Sequence, residues 1–289
     1  ISGEKERSRT IAVMFIMMVL SIILTSEALS AMLDPFTPEI LITSFATVGL
    51  VALGLGLLGL LGLETRHEEI EHTEVHYSWN EMYAALRENR QVLLFFRYLV
   101  LMLVAILGQD VLLEPYSAEV FNFPVSISTR LNSLTGSFFL VSLTAGGLLE
   151  RRVNKHTQAR IGGWTGVAAF VLILLSGLIV NVPLFYLSLV LLGLATGLAT
   201  VSNLSLMLDM TAANRVGIFM GVWGMANAAS RLTGNLLGGV LRDSVSRITS
   251  SQVAGYQTVF FIELLMMLAS LWLLRSINVG RFRQEVESK

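Results

Sequence analysis

Residues 161–180 read IGGWTGVAAFVLILLSGLIV, and after Asn181 and Val182 residues 183–208 read PLFYLSLVLLGLATGLATVSNLSLML. Neither run holds an Asp, Glu, Lys, Arg or His. A helix needs about 20 apolar residues to cross a bilayer core, so each run is long enough for one crossing and too long for a strand. In lipid a helix satisfies its own backbone hydrogen bonds, which an open sheet does not. Alternation of apolar and polar residues is absent, which excludes an outer-membrane barrel pattern. The two runs therefore predict a pair of membrane helices joined by a tight turn.

Outward from this pair the same test finds spans at 10–33, 40–63, 92–115, 128–149, 216–241 and 256–275, making eight in all. Composition agrees with an all-α polytopic membrane protein. Hydrophobic residues make up 54% of the chain and charged residues only 14%, against about 25% charged in a soluble domain. The mean hydropathy is +0.68. The chain has no cysteine, so disulfides, thiolate metal sites and cysteine nucleophiles are excluded. A net charge of −1 offers no basic field for nucleic acid.

Lys and Arg fall in alternate connections. One set holds Lys5, Arg7 and Arg9, then Arg66, Arg87 and Arg90, then Arg151, Arg152, Lys155 and Arg160, then Arg215, and finally Arg275, Arg281, Arg283 and Lys289. The other set holds Arg242 and Arg247, with Arg130 at a span edge. Both termini are therefore expected on the cytoplasmic side. The longest hydrophilic segment, 64–91, is expected to be a cytoplasmic loop, with an amphipathic helix carried by Trp79, Met82, Tyr83 and Leu86. It also holds His67, His72 and His76. His72 and His76 are at i, i+4, but Thr73 stands where a zincin has Glu, so a solvated acidic face is the better reading.

Ionisable groups within spans are costly and are functional candidates for that reason. They are Glu27, Arg97, Asp110, Glu114, Arg231 and Glu263. At about 1.5 Å rise per residue, Glu27, Asp110, Arg231 and Glu263 fall in one outer layer, while Arg97 can snorkel to the cytoplasmic edge. Asp110 and Glu114 lie one helical turn apart, hence on one face, where both cannot stay ionised cheaply. Such a pair carries a proton, accepts a ligand, or meets Arg231 or Arg130. Pro115 should end or kink the helix just after them. Three small-residue repeats, Gly193/Gly197, Gly217/Gly221 and Gly234/Gly238, predict close helix packing.

The segment Gly108-Gln109-Asp110-Val111-Leu112-Leu113-Glu114-Pro115-Tyr116-Ser117-Ala118-Glu119-Val120-Phe121 resembles the signature of the bacteriochlorophyll/chlorophyll delivery family, the PucC/LhaA-like proteins of phototrophs, within the major facilitator superfamily. The resemblance continues in Gly221-Val-Trp-Gly224 and in Gly234-Asn-Leu-Leu-Gly-Gly-Val-Leu-Arg-Asp243. Gly146-Gly-Leu-Leu-Glu150-Arg151-Arg152-Val-Asn-Lys155 is similar to a general facilitator motif, with Glu150 for Asp, Val153 for Gly and no basic residue at Asn154. It supports a turn between two helices.

The resemblance implies a major facilitator fold of which about eight transmembrane helices are present. Residues 1–63 would supply the last two helices of the N-terminal half, 64–91 the central loop, 92–275 the six-helix C-terminal half and 276–289 a cytoplasmic tail. Upstream helices would then be missing. It also implies light-harvesting complex assembly, or delivery of (bacterio)chlorophyll, in a thylakoid, intracytoplasmic or plasma membrane. Antenna or other pigment-binding membrane proteins would be the partners, beside the lipid bilayer. The matched polar positions are Gln109, Asp110, Glu114, Tyr116 and Glu119; Arg231 and Glu27 join them as charged residues expected at the same depth. No span holds a histidine, so oxygen ligands from Gln109, Glu114 or water would suit the pigment's Mg²⁺. Chlorophyll or bacteriochlorophyll is thus expected as a transient ligand, with no cofactor firmly bound. A proton-coupled transporter of a small solute and a non-transporting scaffold are the alternatives. No catalytic constellation points to an enzyme.

Overall fold

The computed structural model describes residues 4–60, 89–149, 152–210, 216–278 and 280. The amphipathic helix and the three histidines expected in the 64–91 loop lie outside the described residues, as does most of the tail. Nine helices and no strand occur among the described residues. They are α1 Glu4–Met32, α2 Pro38–Leu60, α3 Arg90–Gly108, α4 Leu113–Phe121, α5 Val125–Leu149, α6 Lys155–Ile179, α7 Val182–Asp209, α8 Val216–Thr249 and α9 Gln252–Leu274. Of these α2, α3, α5, α6, α7 and α9 are long and apolar enough to cross a membrane. The chain is an all-α multi-pass membrane protein.

Eight spans were expected, and among the described residues six helices meet that test. α8 has 34 residues, about 51 Å at the usual rise. It continues past the expected end at 241 because Arg242, Asp243 and Arg247 are helical, although they read as a connection in the sequence. The expected span 92–115 is also corrected. α3 ends at Gly108, a turn occupies 109–112, and α4 begins at Leu113. Pro115 does not end a helix but sits in the first turn of one, where no intrahelical partner is lost for want of its N–H. A continuous helix would drive the Pro115 ring into the carbonyl of Val111, so the break falls upstream of it.

The helix ends are closed locally. Asn89 caps α3 by accepting from Gln91 N at 2.7 Å, and Asn181 caps α7 by accepting from Leu184 N at 2.9 Å. Asn122 ends α4 in the left-handed region at φ 55°, a conformation that Asn tolerates.

Packing forms two groups. α3, α8 and α9 pack on one another; α7 packs on both α5 and α6; α6 joins the groups by packing on α9, and α1 leans on α5. The α5–α7 contact depends on glycine. A Cβ on Gly193 or Gly197 would strike the backbone carbonyl of Thr135 or Phe139. Gly234 and Gly238 pack likewise, whereas Gly217 faces open space, so two of the three small-residue repeats hold helices together. α1 is tied to α5 by Ser133 Oγ donating to Ile23 O at 3.0 Å and Ser30 Oγ donating to Ser126 O at 2.7 Å. At the end of the bundle opposite α4, Lys155 pairs with Asp209 at 3.0 Å and Asn278 N donates to Gln91 Oε1 at 2.9 Å.

Candidate functional site: the turn between α3 and α4

The turn is placed by a glycine crossing. A Cβ on Gly234 of α8 would lie 2.7 Å from the Cα of Gly108 and 3.0 Å from Val104 O. The two backbones therefore touch, and α3 stops where α8 crosses it. From the third side α9 inserts Glu263, whose Oε1 lies 2.8 Å from where a Gly108 Cβ would be. A larger residue at Gly108 would expel the carboxyl group. Small side chains here serve the positioning of an acid.

The polar groups gathered at this crossing are short of donors. Gln109 is 3% exposed; its Nε2 donates to Ile106 O at 3.0 Å and to Asp110 Oδ1 at 3.1 Å. Its Oε1 is buried with no hydrogen-bond partner. Glu263 is 4% exposed, and its Oε2 is equally unpartnered, as is Oδ1 of Asn235, the residue after Gly234. An acceptor left in this condition costs about 1–3 kcal/mol, and a charged one more. Asp110 offsets part of its own cost through Arg231, whose Nη1 lies 3.4 Å from Oδ2. That pair is not sealed in: the Arg231 side chain is 59% exposed and that of Asp110 38%. Val111 and Leu232, the residues that follow Asp110 and Arg231 in the chain, are exposed apolar side chains. An ion pair thus sits on an apolar outer surface, backed by a buried carboxyl group.

The other expected residues go elsewhere. Asp110 and Glu114 do not share one helix face, because the chain breaks before Leu113. Glu114 accepts from Thr129 Oγ1 of α5 at 3.1 Å, whereas Asp110 turns to α8. Tyr116 is fully buried. Its hydroxyl donates to Ile173 O at 3.2 Å and accepts from Gln257 Nε2 at 3.4 Å, and its ring packs edge-on against Phe121, Phe185, Tyr256 and Phe260. It is the centre of an aromatic cluster. Glu119 accepts from Arg242 Nη2 and from Tyr256 OH, each at 3.1 Å, and Arg242 lies 4.8 Å over the Tyr256 ring. Glu27 is remote from this group and pairs with Arg130 at 3.0 Å.

Two participants were undervalued in the sequence. Glu263 of α9 was placed only by depth, as one of several charges in an outer layer, yet it is among the most buried acids. The signal available was only that an acid stood in an otherwise apolar run. Arg242 read as a connection residue and instead fastens α8 to α4. Asn203, a polar residue within a span, is buried and accepts from Tyr98 OH at 2.8 Å.

Comparison with known proteins adds to the geometry. The family model described as PUCC protein matches residues 1–282. The chain is similar to Protein PucC of Rhodobacter capsulatus, with 26% identity over 284 residues, covering 93% of this chain and 60% of that protein. It is 26% identical over 298 residues to Protein PucC of Cereibacter sphaeroides, covering 97% of this chain and 63% of the relative. It is 27% identical over 277 residues to the bacteriochlorophyll synthase 44.5 kDa chain of Rhodobacter capsulatus, covering 91% and 64%. The chain therefore spans less than two thirds of the length of these curated relatives.

Proposed function

The chain belongs to the PUCC protein family, and from that membership we propose that it handles (bacterio)chlorophyll during assembly of light-harvesting complexes in a photosynthetic membrane. The relative named as a bacteriochlorophyll synthase chain supports a pigment-related role. The observation that carries the reading is the Asp110–Arg231 pair, half-exposed and followed in the chain by the exposed apolar residues Val111 and Leu232. A chlorophyll-type molecule is a large apolar plate with a few carbonyl oxygens and one hard Mg²⁺. An apolar wall takes the plate, Arg231 donates to a carbonyl, and oxygen ligands from Asp110 or water suit the metal. His156, the one histidine among the described residues, is occupied at a helix end, with its Nε2 2.7 Å from Leu274 O. In this reading the chain binds and passes on; it catalyses nothing.

A second reading, a proton-coupled transporter of a small solute, draws on Glu263, a buried carboxyl group with one unpartnered oxygen. One experiment separates the two. The full-length protein is purified from phototroph membranes, and co-purifying pigment is recorded by absorbance together with bound antenna subunits. Pigment or antenna in stoichiometric amount is expected. Neither, alongside proton-linked uptake of a soluble metabolite, sinks the pigment reading.

A further inference from the structure

A cleft of about 640 Å³ opens where α6, α7 and α9 meet, far from the α3–α4 turn. Its walls are Ile161, Trp164 and Ala168 of α6 and Leu191 of α7, and its head is formed by Arg160 and Arg275. Arg160, Trp164 and Ala168 recur at i, i+4 and i+8, so α6 presents one stripe about 12 Å long with the charge at one end. Arg275 caps the C-terminus of α9. The contact of the His156 ring with Leu274 O, at 2.7 Å, fastens that end of α9 to the first turn of α6. Both guanidinium groups are thereby held in one layer, at the end of the bundle that also holds Lys155 and Asp209.

Among the described residues neither Arg160 nor Arg275 has a carboxylate partner. Two uncompensated cations above an apolar stripe are the complement of a molecule with an anionic head and a hydrocarbon tail. Thr165, the remaining lining residue, donates its hydroxyl to Ile161 O, so the lower cleft offers little polar recognition. Trp164, 47% exposed, stands one turn below Arg160, at the depth where an indole ring prefers the interface. We propose that this cleft is a binding site for an anionic phospholipid. The phosphate lies between Arg160 and Arg275, and one acyl chain lies along Ile161, Trp164, Ala168 and Leu191.

The test uses the full chain purified in detergent and scored by native mass spectrometry and thermal unfolding. The probes are phosphatidylglycerol, phosphatidylcholine and inorganic phosphate. Two basic residues near a membrane surface contribute about 1 kcal/mol each, so a preference for phosphatidylglycerol of roughly tenfold or more is expected. Arg160→Gln with Arg275→Gln should bring the two lipids to parity, while Arg160→Lys with Arg275→Lys should keep most of the preference. Both arginines are exposed, so these variants leave the fold intact. Equal retention of the two lipids by the unaltered chain overturns the proposal, as does a preference that survives in the double Gln variant. Stabilisation by inorganic phosphate equal to that by phosphatidylglycerol also overturns it, since it marks a site for a soluble anion.

Discussion

Gly234 of α8 lies so close to Gly108 of α3 that a methyl group on the former would stand 2.7 Å from the Cα of the latter. This one contact sets where α3 ends, how the following turn projects Gln109 and Asp110, and where Glu263 fits. Backbone atoms cannot move aside as a flexible side chain can. Gly234→Ala should therefore destabilise by about 1–3 kcal/mol, the usual range for overpacking. Gly239, which has nothing within 4 Å, is the control. There Ala should be neutral or stabilising by up to about 1 kcal/mol. Thermal unfolding of the two variants in detergent checks the contrast, and equal effects would remove the crossing from the account.

Glu263→Gln should leave the melting temperature unchanged or raised. The carboxyl group has an oxygen without a donor, and an uncompensated buried charge is costly. A fall of several degrees would show instead that the acid is ionised and paired with a donor.

Tyr116→Phe tests whether this residue meets a ligand or serves the core. Its hydroxyl bonds only within the bundle, so its loss should cost about 0.5–1.5 kcal/mol and leave antenna assembly at its normal level. Tyr116→Ala should cost about 3–5 kcal/mol by analogy with other large buried aromatics. Antenna loss in the Phe variant, with the protein still folded, would assign the hydroxyl a ligand.

Arg242→Lys should be destabilising although it preserves the charge. The guanidinium reaches Glu119, Asp243 and Gln252 together, and a point charge cannot reproduce that fork. About 1–2 kcal/mol is expected for the loss of charge-assisted bonds, read as a lower melting temperature. An unchanged value would mean that α4 is held by its aromatic contacts alone.

The membrane helices were legible because spanning a bilayer leaves a local mark, a long apolar run such as Leu184–Leu208. What was not legible was set by contacts between distant segments. Pro115 announced a break just after Glu114, but the break came at Gly108, where α8 crosses. Arg242, Asp243 and Arg247 looked like a connection, since nothing local distinguishes a polar helix end from a loop. Asp110 and Glu114 were spaced to share one face only if the helix continued, and it does not. Depth put Asp110 and Arg231 in one layer but left Arg231 and Arg130 both open as partners; the structure pairs Asp110 with Arg231. The burial of Glu263 depends on the bare backbone of Gly108, a residue distant in the chain.

The central claim is that the polar cluster at the α3–α4 turn serves assembly of pigment–protein complexes. Its most direct test is the antenna absorbance of phototroph membranes carrying Asp110→Asn with Glu263→Gln, compared at equal amounts of inserted protein with the unaltered chain. The account predicts loss of the antenna band with the protein still present in the membrane. A normal antenna band in the double variant would contradict it.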